Sequence, residues 1–178
     1  DLYLWGTTGI GYNVEKIKQR MPNAPVDSWR LIMDPTVVSK FKDCGVAMLD
    51  SPSDIMKSTL RFLGRDPNTT KADDVRAAEA HLLKIRPHVT YFHSSKYIND
   101  LAGGDICLVL GYSGDIVQAR NRAADAGKKV EVGYVIPKEG AMVWFDMMAI
   151  PADAPHPNNA HAFINFILTP EVAGAISN

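Results

Sequence analysis

Short apolar segments at 2–5, 9–12, 45–49, 106–111, 130–136 and 142–150 alternate with helical patterns, and this alternation constrains the fold more than any other feature. Strands separated by helices build an α/β sheet layered by helices. The helical patterns carry their own punctuation. "PSDIMKSTLRFLG" (52–64) has Pro52 in its first turn, apolar Ile55, Met56, Leu60 and Leu63, and Gly64 as a stop. "KADDVRAAEAHLLKIR" (71–86) is amphipathic and ends before Pro87, and "SGDIVQARNRAADAG" (113–127) runs from a serine to a glycine. "NNAHAFINFILTPEVAGAIS" (158–177) reads as two helices, with Pro170 opening the second. A chain of 178 residues can bury a sizeable core, as one domain or as one lobe of a larger protein. It opens directly in an apolar strand and stops where a helix finishes, so a piece of a larger protein is expected.

Composition removes several functions. The formal net charge is −1 and no lysine or arginine run forms a phosphate-tracking stripe, which argues against nucleic-acid binding. Hydrophobic residues at 46% and charged residues at 22% suit an ordinary globular protein, and no apolar stretch has the length of a transmembrane helix. "GTTGIGYN" spaces Gly6, Gly9 and Gly11 as G-x-x-G-x-G, not the dinucleotide fingerprint, so packing or a hinge explains them better. "HSSKY" (93–97) lacks both the G-x-S-x-G and the S-x-x-K spacing of hydrolases. The five histidines form no metal-ligand pair, and no metal or other cofactor is expected. Cys44 and Cys107 are too few and too far apart for zinc; they are two buried thiols or one disulfide.

The acids are more informative. "VWFDMMAIP" (143–151) reads as a strand covered on both faces with Asp146 in its middle. A buried carboxylate without a partner costs several kcal/mol, so Asp146 is expected to face an internal arginine or a bound cation. Two strand-to-helix turns also carry acids: "MLDSPSD" with Asp50 and Asp54, and "VLGYSGD" with Tyr112 and Asp115. Such turns hold ligands in doubly wound sheets. Each residue has a structural reading too. Ser51 to Asp54 fits a capping box, Asp115 can complement a helix dipole, and Tyr112 and Trp144 singly suit a core. Taken together, Asp54, Tyr112, Asp115, Trp144 and Asp146 describe a slot for a diamine. Ammonium groups bond to carboxylates and are attracted to aromatic faces, while aromatic walls cover the methylenes between them.

Several motifs together resemble a known family. "TTGIGYN", "NAPVDSW", "YFHSSKYINDLAGGDICLVLGYSGDIVQARNRA", "IPKEGAMVWFDMMAIP" and "LTPEVAGAIS" resemble the periplasmic putrescine/spermidine-binding proteins of bacterial ABC transporters. The resemblance implies a type II periplasmic-binding-protein-like architecture: part of a two-lobed α/β protein with a mixed sheet and helices on both faces. Residues 8–132 would form the second lobe; residues 1–7 and 133–178 would form hinge strands and the returning part of the first. The family's second-lobe acid falls on Asp54, where glutamate is common. Its aromatic and acid of a "GWAGD"-like turn fall on Tyr112 and Asp115, with tyrosine replacing the frequent tryptophan, and its aromatic-x-Asp strand falls on Trp144 and Asp146. Its cysteine pair falls on Cys44 and Cys107, which favours the disulfide. First-lobe ligand residues have no counterpart here. The implied function is capture of putrescine or a related polyamine in the periplasm for an inner-membrane ABC permease, without covalent chemistry. The alternatives are a binding or sensor protein for agmatine, cadaverine or spermidine, and an enzyme using the same acids, for which no nucleophile–base pair is present.

Overall fold

The computed structural model describes residues 1–177. In chain order they form β1 (Leu2–Asn13), α1 (Val14–Arg20), α2 (Arg30–Met33), α3 (Pro35–Val38), β2 (Val46–Met48), α4 (Pro52–Phe62) and α5 (Ala72–Ile85). There follow β3 (Tyr91–Phe92), α6 (Tyr97–Gly103), β4 (Leu108–Tyr112), α7 (Ser113–Asp125), β5 (Val132–Val135), β6 (Met142–Met147), α8 (Pro157–Ile167) and α9 (Pro170–Ile176). They fall into two compact units, one of Thr7–Met142 and one of Asp1–Gly6 with the chain from Val143 onward.

The larger unit is a mixed sheet in the order β3-β2-β4-β1-β5, with helices on both faces. β2 runs parallel to β3 and β4, whereas β1 is antiparallel to both β4 and β5. β1 sets Thr8 opposite Tyr112, Gly9 opposite Gly111 and Ile10 opposite Leu110. Leu108, Val109 and Leu110 of β4 are fully buried, which fits a central strand covered on both sides. Trp29, Phe41, Ile32, Met48, Tyr97 and Leu101 join them in one core. Trp29 is also fixed by polar contacts. Its indole nitrogen donates to the Gly140 carbonyl at 2.8 Å, its backbone N–H donates to Glu139 at 3.1 Å, and the Ser28 hydroxyl donates to the same carboxylate.

Glycines in this sheet admit tyrosine rings. A Cβ on Gly9 would meet the Val135 carbonyl at 2.5 Å and the Tyr134 hydroxyl at 2.6 Å; one on Gly111 would meet the Tyr97 ring at 3.0 Å. Of the two readings of "GTTGIGYN", packing is the one the larger unit displays for Gly9.

In the smaller unit β6 pairs with β1, and Asp1 and Met148 exchange backbone hydrogen bonds of 2.9 and 2.8 Å. Ile164 and Ile167 of α8 are buried. Here the structure corrects the reading of "VWFDMMAIP". β6 ends at Met147, Val143, Phe145 and Met147 are 54%, 58% and 66% exposed, and Asp146 is exposed as well. Covering a strand on both faces takes two layers, and among the described residues β6 pairs with β1 while three of its side chains stay more than half exposed. Apolar composition alone does not supply the second layer.

Helices α4, α5, α7, α8 and α9 lie where their punctuation places them. The segments at 2–5 and 9–12 are one continuous strand, and α1, α2, α3, α6 and the two-residue β3 had no clear signal.

Cys44 and Cys107 form a disulfide, with Cα atoms 5.5 Å apart across a separation of 63 residues. Cys107 immediately precedes β4, and its backbone N–H donates to the Gly45 carbonyl at 2.9 Å. Gly45 has φ of 88°, a conformation that favours glycine. The bridge therefore ties the approach to β2 to the start of β4. In the chain-entropy account it stabilises by roughly 4 kcal/mol. Denatured, unreduced protein should show no titratable thiol with Ellman's reagent, and reduction should lower the thermal midpoint. Two thiols before reduction would rule out the bridge.

Candidate ligand-binding site

β2 and β4 are parallel, so their carboxyl ends open on the same edge of the sheet, and each leads directly into a helix. α4 starts after Ser51 with Pro52 in its first turn and Asp54 close behind. α7 starts straight after Tyr112 with Asp115 in its first turn. Both acids therefore stand at helix N-termini at one strand edge, and both are partly buried. The helix ends favour negative charge there, and the acids change the sign of what the edge attracts.

Asp54 is not spent on a capping box. Ser51 makes no side-chain cap; instead its hydroxyl donates to Asp54 Oδ2 at 2.5 Å. Thr8 Oγ1 donates to Oδ1 at 2.9 Å, and the Tyr112 hydroxyl reaches Oδ2 at 3.4 Å. Thr8 and Tyr112 can meet one carboxylate because they are cross-strand partners with side chains on the same face. Burial, followed by the Asp54 charge, pushes the Tyr112 phenol above its usual range, with Asp115 adding to it. Tyr112 thus lies within the field of both acids.

Asp115 has a different setting. Its Oδ2 accepts from the hydroxyl of Tyr97 at 2.6 Å, and that hydroxyl accepts from the Tyr112 backbone N–H at 3.1 Å. Burial raises the Asp115 carboxyl above the usual carboxylate range, an effect opposed by the Tyr97 hydrogen bond and by the charge of Arg122. On the neighbouring strand, Thr7 donates its N–H to Ser113 at 3.1 Å, and its hydroxyl lies 2.6 Å from the Tyr134 hydroxyl. The result is a hydroxyl-rich edge around two carboxylates.

Of the residues singled out from sequence, Asp54, Tyr112 and Asp115 come together here. Trp144 and Asp146 lie on β6 in the smaller unit, two residues apart and so on one face of their strand. Thr8, Ser51 and Tyr97 went unrecognised as parts of the site. Ser51 carried only a capping signal, Tyr97 lay within the quoted "YFHSSKYIND", and Thr8 had no local signal at all. A separate apolar groove of about 350 Å³ beside α4 and α5 is lined by Ile55, Met56, Leu82 and Phe92 and includes neither Asp54 nor Asp115. Among the described residues no group of three or more histidines, cysteines or acids is placed to hold a metal ion.

A family model described as bacterial extracellular solute-binding protein matches residues 2–178. The putrescine-binding periplasmic protein PotF of Escherichia coli (strain K12) is 53% identical over 178 residues, covering 99% of this chain and 48% of that protein. A putrescine/agmatine-binding protein of Pseudomonas aeruginosa is 41% identical, covering 99% of this chain and 48% of its own length. Among solved structures, the spermidine/putrescine ABC transporter substrate-binding protein PotD of Streptococcus pneumoniae superposes with a TM-score of 0.73 at 25% identity, over 97% of this chain and 49% of that one. The chain spans about half the length of the curated relatives it matches.

The buried acid gives a test of the geometry. A carboxyl whose folded pKa is raised binds its proton more tightly in the folded state. Its contribution favours folding below the unfolded value and is lost as pH rises through the folded one. Asp115→Asn removes that ionisation. The variant's thermal midpoint should therefore gain on the wild type as pH rises from about 4 to about 7. A pH-independent difference, or the opposite trend, would contradict the burial of this charge.

Proposed function

This chain belongs to the bacterial extracellular solute-binding protein family, and from that premise we propose that its larger unit supplies one wall of a polyamine site. The observation that carries the reading is the pair Asp54 and Asp115, opening two helices at one strand edge with Tyr112 in the field of both. A bare helix N-terminus selects anions; two carboxylates there select cations. Ammonium groups make short charge-assisted hydrogen bonds to such carboxylates. The Tyr112 ring offers an aromatic face to the alkyl chain, each buried CH₂ contributing about 0.8 kcal/mol. Trp144 and Asp146 are assigned to the same ligand from their place in the family pattern. Residues 8–132 act as the second lobe, with residues 1–7 and 133–178 as hinge strands and the returning part of the first. The full protein captures putrescine or a close polyamine in the periplasm and hands it to an inner-membrane ABC permease. The names of the relatives, putrescine-binding and putrescine/agmatine-binding, support this ligand class.

Within the larger unit the edge is a single wall, so carboxylate contacts there act at high effective dielectric and methylene burial is partial. A loss of about 4 kcal/mol turns a micromolar ligand into a near-millimolar one. Putrescine titrated into the 178-residue chain should bind near the millimolar range, with amide shifts centred on Asp54, Tyr112 and Asp115. Cadaverine and agmatine should act similarly, and sugars and nucleotides should have no effect. Micromolar binding by a proven monomer would overturn the assignment of lobes, and shifts caused only by sugars or nucleotides would sink the polyamine reading.

In a two-lobed protein containing this chain, Asp115→Asn should weaken putrescine binding by about 1.5–3 kcal/mol, the scale of one hydrogen bond to a charged group. An unchanged dissociation constant by calorimetry would remove Asp115 from the site.

A further inference from the structure

The segment His93–Tyr97 is bound to both turns that carry the acids, although it carries no acid itself. The Ser94 hydroxyl accepts the backbone N–H of Asp50 at 3.1 Å, in the turn that leads from β2 to Asp54. His93 Nδ1 accepts the backbone N–H groups of Ser95 and Lys96 at 3.1 and 3.0 Å, which folds the segment back ahead of α6. Tyr97 then enters the core with no exposed surface. Its ring lies over Gly111, where a Cβ would come within 3.0 Å, so the missing side chain on β4 admits it.

The hydroxyl of this ring is the only polar atom of its side chain, and it is used twice. It accepts the N–H of Tyr112, the last residue of β4, and it donates to Asp115. A hydroxyl whose acceptor side is taken by an N–H has its proton aimed elsewhere, here at the carboxylate. Burial and the bond to Asp115 together push the phenol far above its usual range, so it remains a donor at every working pH. A hydroxyl donor favours the ionised carboxylate, and it opposes the desolvation that favours the neutral one.

We propose that Tyr97 is a positioning residue of the cation site, holding Asp115 ionised and fixed against the end of β4 through a Tyr112–Tyr97–Asp115 hydrogen-bond relay. The proposal rests on the polyamine reading for its ligand, but not for its measurement. A buried tyrosine is ordinarily a packing residue, and Tyr97→Phe separates the two roles because it keeps the ring over Gly111 and removes only the oxygen.

The experiment is a titration of the Asp115 side-chain carboxyl by carbon NMR in the 178-residue chain, with and without putrescine. In Tyr97→Phe the Asp115 midpoint should rise by about one unit, the size expected for losing one hydrogen bond to a charged group. Tyr91→Phe, which removes a comparable hydroxyl bonded to Asp100 at 2.6 Å, should leave the Asp115 midpoint unmoved. An unmoved midpoint in folded Tyr97→Phe overturns the proposal, as does an equal shift in Tyr91→Phe. If Tyr97→Phe does not fold, incorporation of 3-fluorotyrosine makes the same hydroxyl a stronger donor and should lower the midpoint; no change then overturns the proposal. Saturating putrescine should lower the wild-type midpoint. If it does not, the polyamine reading fails at Asp115, while the shift caused by Tyr97→Phe still decides the relay.

Discussion

Thr8 stands opposite Tyr112 where β1 runs antiparallel to β4, and the larger unit's site depends on that register. A slip of β1 by one residue would turn Thr8 to the face of the sheet opposite Tyr112. Asp54 would then lose the Thr8 hydroxyl, a donor that reaches it across 46 residues of sequence. The same register brings Gly9 opposite Gly111. The space those glycines leave is taken by Tyr134 and Tyr97, so the pairing also sets two tyrosine hydroxyls beside the strand edge. Parallel pairing of β2 with β4 does the rest, since it directs both strand ends to one side.

Local chemistry made much of this readable. Pro52, Gly64, Pro170 and the glycine at 127 are punctuation that operates within one turn of helix, and the helices they bound are where the residues place them. The acids were visible for a similar reason: Asp54 and Asp115 directly follow apolar strands, in the turns where such sheets bind ligands. Beyond the disulfide that the resemblance implied, what the sequence concealed depends on contacts distant in the chain. Asp54 looked like a cap because Ser51 is three residues away, and the hydroxyl of Thr8 is a partner that only the sheet can supply. The strand-like run containing Asp146 looked doubly covered because burial was inferred from composition, whereas the layers available decide it.

Specificity of a motif and contact with ligand are separate matters, as "NAPVDSW" and "IPKEGA" illustrate. Both belong to the pattern that resembles the family, yet in the larger unit they bind each other. Trp29 is fully buried and bonded to Gly140, and Glu139 receives Ser28 and the Trp29 N–H. Lys138 also pairs with Asp27 at 3.2 Å. A carboxylate that accepts a backbone N–H and a hydroxyl is strongly held, and losing it would leave buried donors unmatched. The two motifs form a clasp between two loops, and the disulfide from Cys44 to Cys107 is a second clasp at the start of β4.

The two acids at the strand edge have different hydrogen-bond partners, and the difference bears on recognition. Asp54 has hydroxyls on both of its oxygens, so its charge is well solvated by the protein itself. Asp115 is held by one hydroxyl against a desolvation that raises its pKa. The charge of Arg122 opposes the same desolvation, and an ammonium group beside Asp115 would oppose it further. A neutral solute of the same shape would add nothing there. On the proposed function, Asp115 discriminates by charge, while Asp54, with a hydroxyl on each oxygen, is suited to fixing the position of the ligand. On the same proposal, the relay from Tyr112 through Tyr97 holds the Asp115 carboxylate in place until a cation arrives.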